Sequence, residues 1–212
     1  MRFRDRVEAG RELAGLLSDL RDQGTLVDPL VLALPRGGIA VAEPIARALG
    51  VPLDVLVVRK IGAPHHQEFA LGALVGDGPP LFNTGALDRL GLTEEALAPV
   101  VERERQELRR REQRYRGDRP APDPAGRTVI VVDDGLATGA TARAALRHLR
   151  ARRAAHLVLA VPVGAPDSVD RLAAEADTIL CPHQPAGFTA VGQWYEDFEQ
   201  LTDAEVLAAL GR

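Results

Sequence analysis

Residues Val129-Ile130-Val131-Val132-Asp133-Asp134-Gly135-Leu136-Ala137-Thr138-Gly139-Ala140-Thr141 decide the reading of this 212-residue chain. Four apolar residues in a row have the length and continuity of a strand buried on both faces. Two acids follow, then a loop of small and hydroxyl residues. Apolar spacing predicts a helix over Ala140 to Arg150. In sheets built from such units, ligands bind beyond the carboxyl ends of the strands. Small residues let the backbone approach a ligand. A helix start presents unpaired N–H groups and a positive dipole end, which suit a phosphate. Thr138 and Thr141 add hydroxyl donors. Asp133 and Asp134 would repel that phosphate, so they are assigned to accept hydrogen bonds from sugar hydroxyls. Phosphate at one end and vicinal hydroxyls at the other describe a ribose 5-phosphate.

The flanking sequence repeats the strand–helix alternation. Asp5 to Asp22 predicts an amphipathic helix, stopped at Gly24. Pro29 to Leu34 predicts a buried strand ending in the turn Pro35-Arg36-Gly37-Gly38. A helix with Ile39, Ala42, Ile45 and Leu49 on one stripe follows, and Pro44 starts or kinks its regular part. Leu53 to Val58 predicts a second strand, with Arg59 and Lys60 at its end. Phe69 to Val75 and Pro80 to Phe82 predict a hairpin through Gly76-Asp77-Gly78. Thr93 to Tyr115 is a long charged helix whose Glu102 to Arg116 face suits intrahelical Glu–Arg pairs. Gly117 to Gly126 is a loop. Leu157 to Val161 and Thr178 to Leu180 are strands around a helix over Asp167 to Ala174, and Thr202 and Glu205 open a last helix as a capping box. The expected fold is α/β, with a mostly parallel central sheet flanked by helices and a small C-terminal hood. Residues 1–212 read as one domain, with a core over about 29–163 and a hood from about 176–200 plus the terminal helix.

Composition narrows the function. Net charge is −4, which gives no global signal for nucleic acid. The single cysteine, Cys181, precludes a disulfide within the chain and reads as a buried structural thiol. The charged start lacks a signal peptide's apolar stretch, and the longest apolar runs have strand length, so a cytoplasmic protein without membrane spans is expected. Lys60 is the only lysine in an arginine-rich chain, a mild sign that a compact ammonium is wanted there. His65 and His66 have no acid or cysteine at metal-ligand spacing and read as an exposed loop tip. A P-loop would need a lysine where Ala140 stands, and there is no Gly-x-Gly-x-x-Gly at the strand ends, no Gly-x-Ser-x-Gly and no His-Glu-x-x-His.

The segment from Val129 to Thr141 resembles the signature of the type I phosphoribosyltransferases, in which an apolar strand, two acids and a Thr-Gly-x-Thr loop bind 5-phosphoribosyl 1-pyrophosphate (PRPP). The chain also resembles a small group of bacterial predicted phosphoribosyltransferases in Leu34-Pro35-Arg36-Gly37-Gly38, in the stretch from Val58 to Pro64, and in Ala190-Val191-Gly192-x-Trp194-Tyr195. The resemblance implies that Asp133 and Asp134 hold the ribose hydroxyls and stabilise positive charge developing on the sugar. It implies that Gly135, Leu136, Ala137, Thr138, Gly139, Ala140 and Thr141 cradle the 5′-phosphate. Arg36 and Gly37 would take the pyrophosphate, joined by Arg59 and Lys60. Mg²⁺ would arrive with PRPP and have no dedicated protein cage. The hood aromatics Phe188, Trp194 and Tyr195 would either stack on a base or pack the hood onto the core.

Some purine-salvage members carry an aspartate at the position of Ala137, so a 6-oxopurine handled by that acid loses its partner here. The expected activity is Mg²⁺-dependent phosphoribosyl transfer from PRPP to a nitrogenous base, in nucleotide metabolism. The alternative is a non-catalytic PRPP- or nucleotide-binding regulator of the same fold. Partners are then small molecules, with no nucleic acid or membrane, and family habit makes a homodimer the default.

Overall fold

The computed structural model describes residues 2–63 and 66–211. Its backbone forms two compact units, one of Met1–Val55 with Pro122–Arg212 and one of Leu56–Ala121.

The first unit is built on five parallel strands in the order β2-β1-β6-β7-β8. These are β1 (Leu30–Ala33), β2 (Leu53–Val55), β6 (Thr128–Val132), β7 (His156–Ala160) and β8 (Thr178–Leu180). All residues of β1 and β6 are buried, as their unbroken apolar runs require in a sheet covered on both faces. Its helices are α1 (Arg6–Asp22), α2 (Gly37–Leu49), α5 (Ala140–Ala151), α6 (Pro166–Leu172) and α7 (Asp203–Ala209). The α/β reading from the sequence thus holds. Pro44 lies inside α2, not at its start. Beside it α1 comes very close: a Cβ on Gly10 would lie 2.3 Å from the Val41 carbonyl oxygen and 3.1 Å from the Pro44 ring. Thr202 and Glu205 form the capping box that opens α7.

The second unit carries an antiparallel sheet in the order β3-β4-β5, from β3 (Val58–Ala63), β4 (His66–Val75) and β5 (Leu81–Phe82). Here the sequence expectation needs correction. The run from Leu53 to Val58 is not one strand. It ends at Val55, and Val58 opens β3, where Arg59 pairs with Leu74 and Lys60 with Ala73. Arg59 and Lys60 therefore lie within a strand and not beyond its end. Two helices complete this unit: α3 (Thr84–Leu90) and α4 (Ala98–Arg116). The sequence reading passed over α3, although Asn83 caps its start and Gly91, at φ 62°, ends it. His65 lies outside the described residues, and of His66 only the backbone is described.

Among the described residues no helix is long and apolar enough to cross a membrane. Cys181 is 8% exposed, and burial pushes its thiol up to about 12. A thiol so placed is a poor nucleophile. The native protein is therefore expected to resist Ellman's reagent at pH 8 and to react after unfolding in guanidinium chloride. Stoichiometric reaction of the folded protein would contradict this burial.

Candidate functional site

The order of the parallel strands makes the site. From β1 the chain passes through α2 to β2 on one side, whereas β6 flanks β1 on the other. Strand order reverses there, and a crevice opens beyond the carboxyl ends at such a point. Ala33 and Val132 are register partners, so the turn after β1 and the loop after β6 leave the sheet side by side. Leu34 N–H donates to the Val132 carbonyl at 2.9 Å. A Cβ on Gly38 would lie 2.6 Å from that same oxygen. The peptide between Pro35 and Arg36 is cis.

The two acids occupy different environments. Asp133 is partly exposed, and its Oδ1 accepts the Asp134 N–H at 2.9 Å. The Asp134 carboxylate is turned inward. Its Oδ2 accepts from Arg6 Nε at 2.8 Å, and the two side chains are only 16% and 9% exposed. The Tyr195 hydroxyl donates to the Asp134 carbonyl at 2.6 Å. A Cβ on Gly37 would lie 1.9 Å from Asp134 Oδ2. Gly37 is therefore required by Asp134, a reason separate from the ligand approach expected of it. Burial pushes the Asp134 carboxyl above its ordinary value, against the hydrogen bond and charge of Arg6.

The loop that follows is anchored on its sheet side. Leu136 is buried; its N–H donates to Val163 O at 2.9 Å and its carbonyl accepts from Ala165 N–H at 2.9 Å. The Ala137 carbonyl accepts the Ser168 hydroxyl at 2.5 Å, and Arg171 donates to that hydroxyl at 2.7 Å. A Cβ on Gly135 would lie 2.5 Å from a Val191 methyl. Gly139, at φ 75°, turns the chain into α5. Ala137, Thr138 and Ala140 are exposed, and Thr138 Oγ1 accepts the Ala140 N–H at 3.4 Å. Ala140 and Thr141 lie in the first turn of α5, where N–H groups have no intrahelical acceptor. The arrangement can hold an anion at the helix start, with the Asp133 carboxylate at the strand end.

Arg36 is half-buried at the head of α2, with its guanidinium 4.0 Å from Asp203 of α7. In the second unit Arg59 grips Glu104 with Nε at 3.0 Å and Nη2 at 2.6 Å, and Lys60 is exposed on β3. The Glu–Arg pairs expected on α4 form. Hydrogen bonds from Arg110 and Arg111 hold Glu107 down to about 2. Tyr195 is 3% exposed and stacks on Phe198 at 5.1 Å, with Phe3 at 5.6 Å. Burial raises its phenol well above the ordinary range. Phe188 and Trp194 are partly buried against the same cluster, and Trp194 Nε1 is buried without an acceptor among the described residues. No group of three His, Cys, Asp or Glu side chains suited to a metal occurs among the described residues.

Sequence reasoning missed Arg6 and Ser168, and gave Tyr195 only a ring. Arg6 is 128 residues from its partner and Ser168 is 31 from its own, so no local spacing marks them. One hint existed for Arg6. It is the first residue of α1, where the helix dipole disfavours a cation.

Comparison with known proteins places the chain in context. The model of the phosphoribosyl transferase domain matches residues 4–190. A protein of Mycobacterium tuberculosis H37Rv named "Putative phosphoribosyl transferase Rv0571c" is 45% identical over 210 residues, which is 99% of this chain and 46% of that protein. The chain thus spans about half the length of the curated relatives it matches. The crystal structure of TT1426 from Thermus thermophilus is 44% identical, with TM-score 0.85, covering 99% of this chain and 98% of that one. An adenine phosphoribosyl transferase from Trypanosoma brucei, solved with AMP, pyrophosphate and ribose-5-phosphate, shares the fold at 12% identity and TM-score 0.50. It covers 89% of this chain and 68% of its own.

The Gly37 contact yields a paired prediction. Gly37→Ala is expected to destabilise by about 1–3 kcal/mol, because the added methyl overpacks against a buried carboxylate. Gly15→Ala, on α1 with nothing within 4 Å of the new methyl, is expected to stabilise by about 0.5–1 kcal/mol through helix propensity. Urea denaturation of the two variants checks both. Equal stability of Gly37→Ala and the parent would contradict the packing described.

Proposed function

The chain belongs to the phosphoribosyl transferase domain family, and from that premise we propose that it transfers the phosphoribosyl group of PRPP to a nitrogenous base with release of pyrophosphate. The observation that carries this is the convergence of the segments leaving the ends of β1 and β6. There a glycine-turned helix start and a partly exposed acid at the strand end stand beside the Pro35–Gly38 turn. A 5′-phosphate suits the N–H groups at the start of α5 together with Thr138 and Thr141. The acid pair is assigned to the ribose, with Asp133 partly exposed at the strand end.

In the reaction the C1–oxygen bond to pyrophosphate breaks, with both electrons leaving on pyrophosphate. A C1–nitrogen bond forms to the base, whose ring N–H proton passes to water. The acid pair favours the positive charge that builds on the sugar between these events. Arg36 is assigned to the leaving pyrophosphate by its forked guanidinium, and Gly37 by its place in the same turn. Arg59 and Lys60 are assigned by residue chemistry alone. Mg²⁺ binds phosphate and hydroxyl oxygens by preference, and the Asp133 carboxylate is a hard oxygen donor of the right kind. When bound, the ion neutralises charge on pyrophosphate. With the Tyr195 hydroxyl spent on Asp134, Phe188 and Trp194 are the stacking candidates for the base. The family match spans both compact units, which supports reading them as one functional domain.

One observation favours a second reading, a PRPP-binding regulator without turnover. Arg36 and Arg59, both expected to clamp pyrophosphate, face Asp203 and Glu104. The measurement that separates the readings is pyrophosphate release from PRPP and Mg²⁺ with nucleobases supplied singly. Release with one base, lowered roughly 10²–10³-fold or more by the double substitution Asp133→Asn with Asp134→Asn, is expected for the transferase. PRPP binding with no release on any base supports the regulator. Unchanged PRPP affinity in the double variant would remove the acid pair from the site.

A further inference from the structure

We propose that Arg6 is a positioning residue of this site: it fixes Asp134 beneath the Pro35–Gly38 turn, so that Asp133 is the carboxylate that meets the sugar hydroxyls. The inference rests on the ribose-phosphate reading above and adds a division of labour within the acid pair.

Arg6 stands at the first position of α1, against the helix dipole, so its place needs another cause. Its side chain makes contacts in several directions. Nε donates to Asp134 Oδ2 at 2.8 Å and Nη1 donates to the Glu199 carbonyl at 2.9 Å. The guanidinium carbon lies 3.9 Å from the centroid of the Phe198 ring. A planar fork with one face on an aromatic ring suits arginine and not lysine. Asp134 is confined in turn, because Gly37 leaves room for its carboxylate and no more. The Tyr195 hydroxyl fastens its backbone.

Swinging the Asp134 carboxylate towards a ligand would leave Arg6 buried without its counter-charge, which is costly. Asp133 is partly exposed, and the Asp134 N–H orients its Oδ1. Arg6 thus ties α1 and the segment before α7 to the floor of the crevice. The N-terminal strand bridge supports the same tie: Phe3 N–H donates to Trp194 O and Glu196 N–H donates to Phe3 O, both at 2.8 Å.

The test uses the full chain with Arg6→Met, Arg6→Lys, Asp133→Asn, and Arg6→Met combined with Asp134→Asn. PRPP binding with Mg²⁺ is measured by calorimetry well below each melting temperature, so that lost stability alone does not move the affinity. Deuterium uptake is followed over residues 34–38 and 133–137. Arg6→Met is expected to weaken PRPP binding roughly ten- to hundredfold through misplacement of the site. It should raise uptake in both segments and leave 158–160 unchanged. Removing both charges should regain most of that affinity, since neither is then buried alone. Arg6→Lys should fall between, and it carries the test with the neutral pair if Arg6→Met does not fold. Asp133→Asn should weaken binding without raising uptake. Parental affinity and uptake in Arg6→Met, or an equal loss when Asp134 is already Asn, would overturn the proposal. A parent protein that binds no PRPP would sink the ribose-phosphate reading, and the uptake result would then decide on Arg6 by itself.

Discussion

The parallel pairing of β1 with β6 is the constraint on which the candidate site depends. Both strands are buried on both faces, so their apolar runs fix them at the centre of the sheet. The pairing in register from Leu30–Val129 to Ala33–Val132 brings their carboxyl ends level. The segments that follow the two strands then leave the sheet side by side. The turn after β1 and the loop after β6 are far apart in sequence, yet Gly37 touches Asp134. A hydrophobic requirement thereby assembles a polar site. The glycines are the other half of that requirement, because Cβ atoms on Gly37, Gly38 or Gly135 would collide with Asp134, Val132 or Val191.

The two adjacent acids show how different partners separate chemically equal groups. Successive residues leaving a strand point in different directions, so one carboxylate can face the crevice while its neighbour faces the protein. Asp134 takes the inward place, and a buried carboxylate needs a counter-charge. Arg6 supplies it from the other end of the chain, and Phe198 and Glu199 hold Arg6. The requirement propagates outward: the buried acid recruits α1, and α1 recruits the segment from Phe188 to Glu199. The rings of Tyr195 and Phe198 lie against the Arg6 guanidinium and lower the local dielectric, which strengthens the pair.

Much of this was legible in the sequence, and the parts that were not share a cause. The strands β1, β6 and β7 could be read because continuous apolar runs of strand length have few other uses. The loop from Asp133 to Thr141 could be placed between a strand end and a helix start because its pattern is local, carried by neighbours in one segment. The break after Val55 was not read, since Leu53 to Val58 is apolar at nearly every position and periodicity does not say which sheet a residue joins. The helix α3 was passed over because its seven residues carry little amphipathic signal, although both caps were written in Asn83 and Gly91. Arg6 and Ser168 were invisible for a different reason. Their partners are remote, and a single sequence contains no measure of which distant residues meet.

That distinction bears on how the hood should be understood. Read as sequence, the stretch after Thr178 is a run of aromatics near a terminus, suited equally to gripping a ligand or covering a core. Read as structure, its best-defined member does neither alone. Tyr195 covers the Arg6–Asp134 pair with its ring and fastens the backbone of Asp134 with its hydroxyl. A residue in that position affects a ligand only through the loop it holds. Ser168 stands in the same relation to Ala137 from the opposite side of the loop, with Arg171 behind it. The crevice is therefore framed by supports from α1, α6 and the C-terminal segment. On the reading proposed above, the exposed part of the loop before and at the start of α5 is small, namely Ala137, Thr138 and Ala140, with Asp133 partly exposed at the strand end. On that reading, framing this extensive gives the site its selectivity through fixed geometry more than through the number of groups it presents.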